Sequence, residues 1–329
     1  MDFYRYDSPQ IRYTGRFAPY CGTMSTTQCG SYFEFRYSGG ACVLAFDTSR
    51  TCAAYPHLYF EVDGCPRVEA GVEEFIRVGS EDGDKDAVHS VRVIFKSADE
   101  FRHRWYLPLD SVVAFKGVYC GSLIEPLPDE RMTVEFVGDS ITEGVLIDTG
   151  CFVPWRTDGA NRVYVDDVTA TYAWLTAEKL GLRPFFHAHG GDGVTHGGSA
   201  DSPDTVTSYP YCFDGAEATC PDPDLIVINI GTNDRGRPDF EERYIMLLDE
   251  IRRLHPSSRL VILPPFIGCW TGKLKEIASR YEKETGCPIL FVDTDGWISP
   301  EPLHPLRDGH RVVAENLSKA LGAFIESVG

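Results

Sequence analysis

Near residue 125 the hydrophobic pattern of this chain changes period, and that change constrains the fold more than any other feature. Upstream, short runs alternate apolar and polar residues: YFEFRY (32–37), LYFEV (58–62), VRVIF (91–95) and VVAFKGVY (112–119). Gly, Asp and Pro clusters separate them without a helical period, which predicts strands of an all-β sandwich. Downstream of EPLPDE (125–130), apolar runs alternate with helical patterns: MTVEFVG, TYAWLTAEKLG, RPFFHAH, DLIVINIG, FEERYIMLLDEIRRL, RLVILPPF, LKEIASRYEKE, PILFVD and HRVVAENLSKALGAFI. Such alternation predicts an α/β region, a doubly wound parallel sheet with helices on both faces. We therefore expect two domains, residues 1–128 and 129–329.

The 329 residues, 43% of them hydrophobic, suffice for a core of that size. A formal charge of −18 repels phosphate backbones and anionic membrane surfaces, which argues against nucleic-acid and membrane partners. The start, MDFYRYDSPQIRYTGRF, lacks a basic segment followed by an apolar stretch, so a cytoplasmic address is expected. Eleven cysteines in no CxxC spacing read as free, mostly buried thiols.

Ligands of open α/β sheets bind beyond the carboxyl ends of the strands. Four segments at such ends carry chemistry: GDS (138–140), HGGDGVT (189–195), GTND (231–234) and EPLHP (301–305). Together they offer a hydroxyl, glycine amides, a carboxamide and an imidazole. Ser140 also has a bland reading, because Ser140-Ile-Thr-Glu143 matches an S-x-x-E capping box. Asn233 could serve a local turn, and His310 competes with His304 as a base.

The four blocks, in this order, resemble those of the SGNH (GDSL-type) hydrolase superfamily over residues 130 to 329. Thr142 stands where a G-x-S-x-G elbow would have its second glycine, which argues against an α/β-hydrolase. The sandwich ahead of the blocks, with GRF at 15–17 and GSYFEFRYSG at 30–39, looks like carbohydrate esterase family 2. The resemblance implies a flavodoxin-like SGNH hydrolase domain behind a jelly-roll-like sandwich, and a serine esterase that removes short acyl groups, acetyl above all, from carbohydrate hydroxyls. It implies no cofactor; the expected partner is an acylated oligosaccharide or a small-molecule ester. Ser140 would be the nucleophile and His304 the base. The oxyanion donors would be the Ser140 N–H, a glycine N–H at Gly193 or Gly191, and the Asn233 amide. The superfamily's usual Asp three residues before the histidine is replaced here by Glu301, which as orienting acid would have to reach with one extra methylene.

Other readings compete. The same catalytic set could serve a thioester or a lysophospholipid, or the chain could be a sugar-binding protein without activity. His187, His189 and His196 could be combined into a zinc site, although no acidic partner stands at ligand spacing, and no metal is expected. EDGDKD (81–86) lacks the EF-hand pattern and reads as a solvated turn. Trp155, Trp270 and Trp297, outside the predicted helices and strands, are candidates for stacking on a sugar ring.

Overall fold

A computed structural model describes residues 1–79, 86–149, 159–199 and 201–326. All four alternating runs of the amino-terminal region form strands, at Tyr32–Ser38, His57–Val62, Val88–Ser97 and Val113–Cys120. They belong to two antiparallel sheets of six strands each. One sheet is built around Val113–Cys120 and Ala41–Phe46, the other around Tyr32–Ser38 and Val88–Ser97. Phe33 of one sheet stacks on Phe115 of the other with ring centroids 4.2 Å apart, so the sheets face each other across a shared core.

After Ile124 the topology changes. Five parallel strands follow: β1 (Thr133–Gly138), β2 (Arg183–Ala188), β3 (Leu225–Asn229), β4 (Arg259–Ile262) and β5 (Ile289–Phe291). Their spatial order is β2-β1-β3-β4-β5, with β2 at one edge. Alternation along the strands sends Leu225 and Val227 into one core and Ile226 and Ile228 into the other, so both faces are covered, as parallel sheets require.

The helices that matter for the site are α1 (Ser140–Glu143), α2 (Gly159–Val165), α3 (Tyr172–Leu180), α4 (Phe240–Leu254), α5 (Thr271–Thr285) and α6 (Arg307–Glu326). Helix α4 shows how the sequence selects its face: Phe240, Tyr244, Leu247, Leu248 and Ile251 recur at helical spacing and are the residues it buries. The cores of the antiparallel and parallel regions are continuous, since Phe33, Phe115, Val134, Phe136 and Leu317 belong to one cluster.

Buried polar contacts also cross the junction. Arg16 directs Nε and Nη2 at Glu135 Oε1 on β1, at 2.8 and 2.6 Å, and lies over the ring of Tyr209. Tyr209 completes the set by donating its hydroxyl to Glu135 Oε2 at 2.6 Å.

The described cysteines are all free, but only Cys29, Cys42, Cys120 and Cys212 are buried. Cys21, Cys52 and Cys65 are exposed, which corrects the expectation of mostly buried thiols; alternation alone does not say which loop residues reach solvent. Among the described residues, no helix is long and apolar enough to cross a membrane.

Candidate active site

Strands β1, β2 and β3 are adjacent, and the register aligns Gly138 with Ala188 on one side and Asn229 on the other. The first three loaded blocks therefore leave the sheet side by side. Gly138 is required here because a Cβ would lie 2.1 Å from Thr142 Oγ1.

The cap of α1 is Asp139, not Ser140. Asp139 is extended, with φ −115° and ψ −154°, and its carboxylate accepts the Ile141 N–H at 3.0 Å. Burial pushes its carboxyl up to about 6, against the hydrogen bonds from Ile141 and Thr232. The other half of the expected capping box is also engaged elsewhere: Glu143 Oε1 accepts from Arg104 Nη1 at 2.5 Å, inside the protein. Burial alone would raise the Glu143 carboxyl, yet Arg104 overrides it and holds it below its ordinary value. Helix α1 then stops after one turn at Gly144, whose φ of +88° favours glycine.

Freed from capping, the Ser140 hydroxyl meets His304 Nε2 at 2.9 Å. Its own N–H lies in the first turn of α1, where helix amides have no intrahelical acceptor. His304 sits on the loop between β5 and α6; burial, reinforced by the positive charge of Arg162, lowers its pKa to about 4. The competing His310 is a packing residue. Its Nδ1 accepts the Tyr172 N–H at 2.9 Å, its ring lies parallel to that of Tyr172, and burial lowers its pKa to about 3.

Glu301 is not brought to the imidazole. It is exposed, its backbone N–H donates to Ser299 Oγ at 3.2 Å, and among the described residues its carboxylate makes no hydrogen bond to His304. Two carboxylates farther upstream on the same loop are engaged locally, since Asp293 Oδ1 accepts the Asp295 N–H and Asp295 Oδ1 accepts from Thr271 Oγ1. The arrangement is a Ser–His pair. Glu301→Gln is accordingly expected to change kcat by no more than about threefold, where a mis-set imidazole tautomer costs up to about ten-thousand-fold. A loss above about a hundredfold in steady-state assays of the folded variant would restore Glu301 as the orienting acid.

The second block separates its two glycines. Gly193 donates its N–H to the His196 carbonyl at 3.1 Å and packs flat against Asp234, whose Oδ1 lies 2.5 Å from where a Cβ would be. That amide is spent within the loop. Gly191, at φ +76°, has no acceptor for its N–H among the described residues. Gly193 is sterically required as a glycine for this packing against Asp234.

The third block is more than a local turn. Asn233 Nδ2 donates one hydrogen to the Asp192 carbonyl at 2.8 Å, leaving its second amide hydrogen. Asp234 accepts from the Val194 and Thr195 N–H groups and from Thr195 Oγ1 at 3.1, 2.9 and 2.7 Å. Blocks two and three are thereby tied into one rigid edge.

The three histidines of the zinc alternative diverge. His187 Nε2 pairs with Ser208 Oγ, His189 Nε2 with Gln28, and His196 places both ring nitrogens on carbonyls, of Gly197 and Asn233. No group of three or more His, Cys, Asp or Glu among the described residues is placed to hold a metal ion. In the 81–86 run only Asp86 is described, and Trp155 lies outside the described residues. Trp270 stacks on Phe240 at 4.1 Å and donates its indole N–H to the Gly231 carbonyl at 3.1 Å, so one face of the ring anchors the third block. Trp297 is half-buried against the main core.

Three polar residues of the antiparallel region reach the underside of the site, and no sequence signal announced them. Arg104 holds Glu143, Glu100 lies against Gly190 while pairing with Arg162, and Gln28 meets His189. Their spacing follows no motif, because each is placed by the docking of one sheet system on the other.

The model of the GDSL-like lipase/acylhydrolase family matches residues 136–312. No curated protein matches the chain. Among solved structures, a family two carbohydrate esterase from Clostridium thermocellum, in complex with cellohexaose, is 22% identical, with a TM-score of 0.75, and the match covers 96% of this chain and 99% of that one. A family two carbohydrate esterase from Cellvibrio japonicus has a TM-score of 0.78 at 17% identity, covering 100% and 99%. An acetyl xylan esterase from the rumen bacterium Butyrivibrio proteoclasticus has a TM-score of 0.76 at 18% identity, covering 99% and 98%. At these identities the likeness is one of fold, and it extends over both the antiparallel and the parallel regions.

Proposed function

The chain belongs to the GDSL-like lipase/acylhydrolase family, and from that premise we propose that it is a serine esterase releasing short acyl groups, acetyl above all, from carbohydrate hydroxyls. The observation that carries the reading is the 2.9 Å contact between Ser140 Oγ and His304 Nε2 at the strand edge that also holds Gly191 and Asn233. The acetyl and carbohydrate assignments draw on the enzymes that share its fold over nearly their full length. Residues 1–128 are read as a jelly-roll-like domain and 129–329 as the hydrolase domain.

In this mechanism His304 Nε2 takes the Ser140 proton as Oγ attacks the ester carbonyl. The resulting oxyanion is held by the Ser140 and Gly191 N–H groups and by the free hydrogen of Asn233. Each such donor is worth about a hundred- to a thousandfold in rate. The imidazolium then protonates the leaving sugar oxygen, and water, deprotonated by the same ring, hydrolyses the acyl-serine.

The base works only when neutral. With a pKa lowered to about 4, His304 is neutral at any pH above that value and is lost as base as pH falls through it. The acid limb of kcat/KM is therefore expected near pH 4, well below the ordinary histidine value of about 6.5. A limb centred at the ordinary value would contradict the environment described for His304.

The test of the whole reading is an assay on acetylated xylo-, manno- and gluco-oligosaccharides beside aryl esters of increasing acyl length. Ser140-dependent acetate release, falling steeply with acyl length, is the expected result. Preference for long acyl chains or thioesters, with no release from any acetylated sugar, would overturn it.

A further inference from the structure

Strand β2 lies at the edge of the parallel sheet, so among the described residues its outer hydrogen-bonding side has no neighbouring strand. Its last residue, Ala188, precedes the His189-Gly190-Gly191 turn that offers the oxyanion amide. Something other than the sheet must fix that end of the strand. Gln28, from the loop between strands Thr23–Thr26 and Tyr32–Ser38, does so. It is fully buried, its Oε1 accepts the Ala188 N–H at 3.2 Å, and its Nε2 lies 3.0 Å from His189 Nε2.

The loop that delivers Gln28 is itself pinned. The Gln28 N–H donates to Thr26 Oγ1 at 3.1 Å, Thr27 Oγ1 donates to the Cys212 carbonyl at 2.9 Å, and Gly30, at φ +84°, packs on the Phe186 ring of β2.

The chemistry of the carboxamide fixes the histidine. Because Oε1 is the acceptor for Ala188, the Nε2 amide donates to His189, whose Nε2 must be the unprotonated nitrogen. The ring hydrogen is then on Nδ1, which makes no hydrogen bond among the described residues, and the link onward is through the backbone, where the His189 carbonyl accepts the Asp192 N–H at 3.3 Å. Asp192 in turn gives its carbonyl to Asn233 Nδ2. One side chain of the antiparallel region thus reaches, through His189 and Asp192, both the glycine loop and the carboxamide of the site.

We propose that Gln28 is a positioning residue for the oxyanion hole, setting the course of the 188–192 backbone that presents the Gly191 amide and orients Asn233. The inference rests on the esterase reading and assigns the antiparallel region a part in catalysis. Displacing a preorganised donor by about an ångström costs up to about a hundredfold in rate without altering substrate binding to the same degree.

The test compares wild type, Gln28→Leu and Gln28→Glu on an aryl acetate, with near-UV circular dichroism to report folding. Gln28→Leu is expected to lose about ten- to a hundredfold in kcat, with KM within about threefold and a parallel loss of affinity for a boronic acid analogue of the tetrahedral intermediate. Gln28→Glu keeps the acceptor for Ala188 but, when ionised, offers His189 a second acceptor and forces the ring proton to Nε2. Its kcat deficit relative to wild type is expected to shrink as pH falls and the carboxyl regains a hydrogen to donate. A role in packing alone would lower stability without moving kcat, analogue affinity or this pH dependence. Wild-type kcat in a folded Gln28→Leu, or in Gln28→Glu at every pH, overturns the proposal, and the second criterion stands if Gln28→Leu does not fold. Failure of the esterase reading is seen separately, as wild type without Ser140-dependent turnover, and removes this inference with it.

Discussion

Ser140→Ala is expected to lower kcat by at least about ten-thousandfold while changing folding stability by less than about 1 kcal/mol. In the proposed mechanism the hydroxyl supplies the bond-forming atom, and in the free protein its one described partner is His304 Nε2. No helix cap is lost, because Asp139 carries that role through Ile141. The His304→Ala variant should fall to a similar level, and the double variant should fall little further, since two residues acting as a unit are not additive. Steady-state kinetics on an aryl acetate, paired with urea denaturation of both variants, checks the expectation. A folded Ser140→Ala protein that keeps a tenth or more of its turnover would remove the nucleophile from the mechanism.

The largest effect on stability is expected at the junction of the two sheet systems. Arg16→Met should cost about 3 to 5 kcal/mol, the usual result of leaving one partner of a buried ion pair without the other. Arg16 and Glu135 are almost wholly shielded from solvent, and among the described residues the one other hydrogen bond to the Glu135 carboxylate comes from the Tyr209 hydroxyl. That cost is a large fraction of the stability of an ordinary domain. The double variant Arg16→Met with Glu135→Leu removes both charges and should regain much of the loss, because an ion pair well replaced by apolar groups is often neutral. Urea unfolding of the three proteins provides the measurement. A single-variant loss below about 1 kcal/mol would mean that water or a shifted proton already relieves the Glu135 charge.

The separation between what was legible and what was not follows the range of the interactions. Periodicity is local, so the alternating runs and the strand-helix order could be read along the chain, and each predicted strand and helix is present. The strand-end blocks were legible for a related reason: a tight turn leaving a parallel strand needs small and polar residues at fixed short spacing, and Gly138, Asp139 and Ser140 meet that need within three positions. The meeting of Ser140 with His304 was an inference from block order across 164 residues, and only the fold gives it a distance.

Where two local solutions fit equally well, the sequence could not choose. Ser140 and Asp139 are both good caps, and the choice falls to Asp139 because Arg104 draws Glu143 away from the box that Ser140 would have needed. Gly191 and Gly193 are both glycines in one loop, and the carbonyl of His196 takes the Gly193 amide, leaving that of Gly191 without an acceptor among the described residues. Glu301 stands at the right sequence spacing from His304, but the course of the loop leaves it in solvent. Gln28, Glu100 and Arg104 had no signal at all, since their partners lie far along the chain and are met only when the antiparallel region docks on the parallel one. The sequence by itself determined the elements, their order and the strand ends at which the polar blocks stand, because those depend on near neighbours. The tertiary structure decided which polar atoms are spent internally and which are left for chemistry, because hydrogen-bond partners of buried groups are set by distance in space.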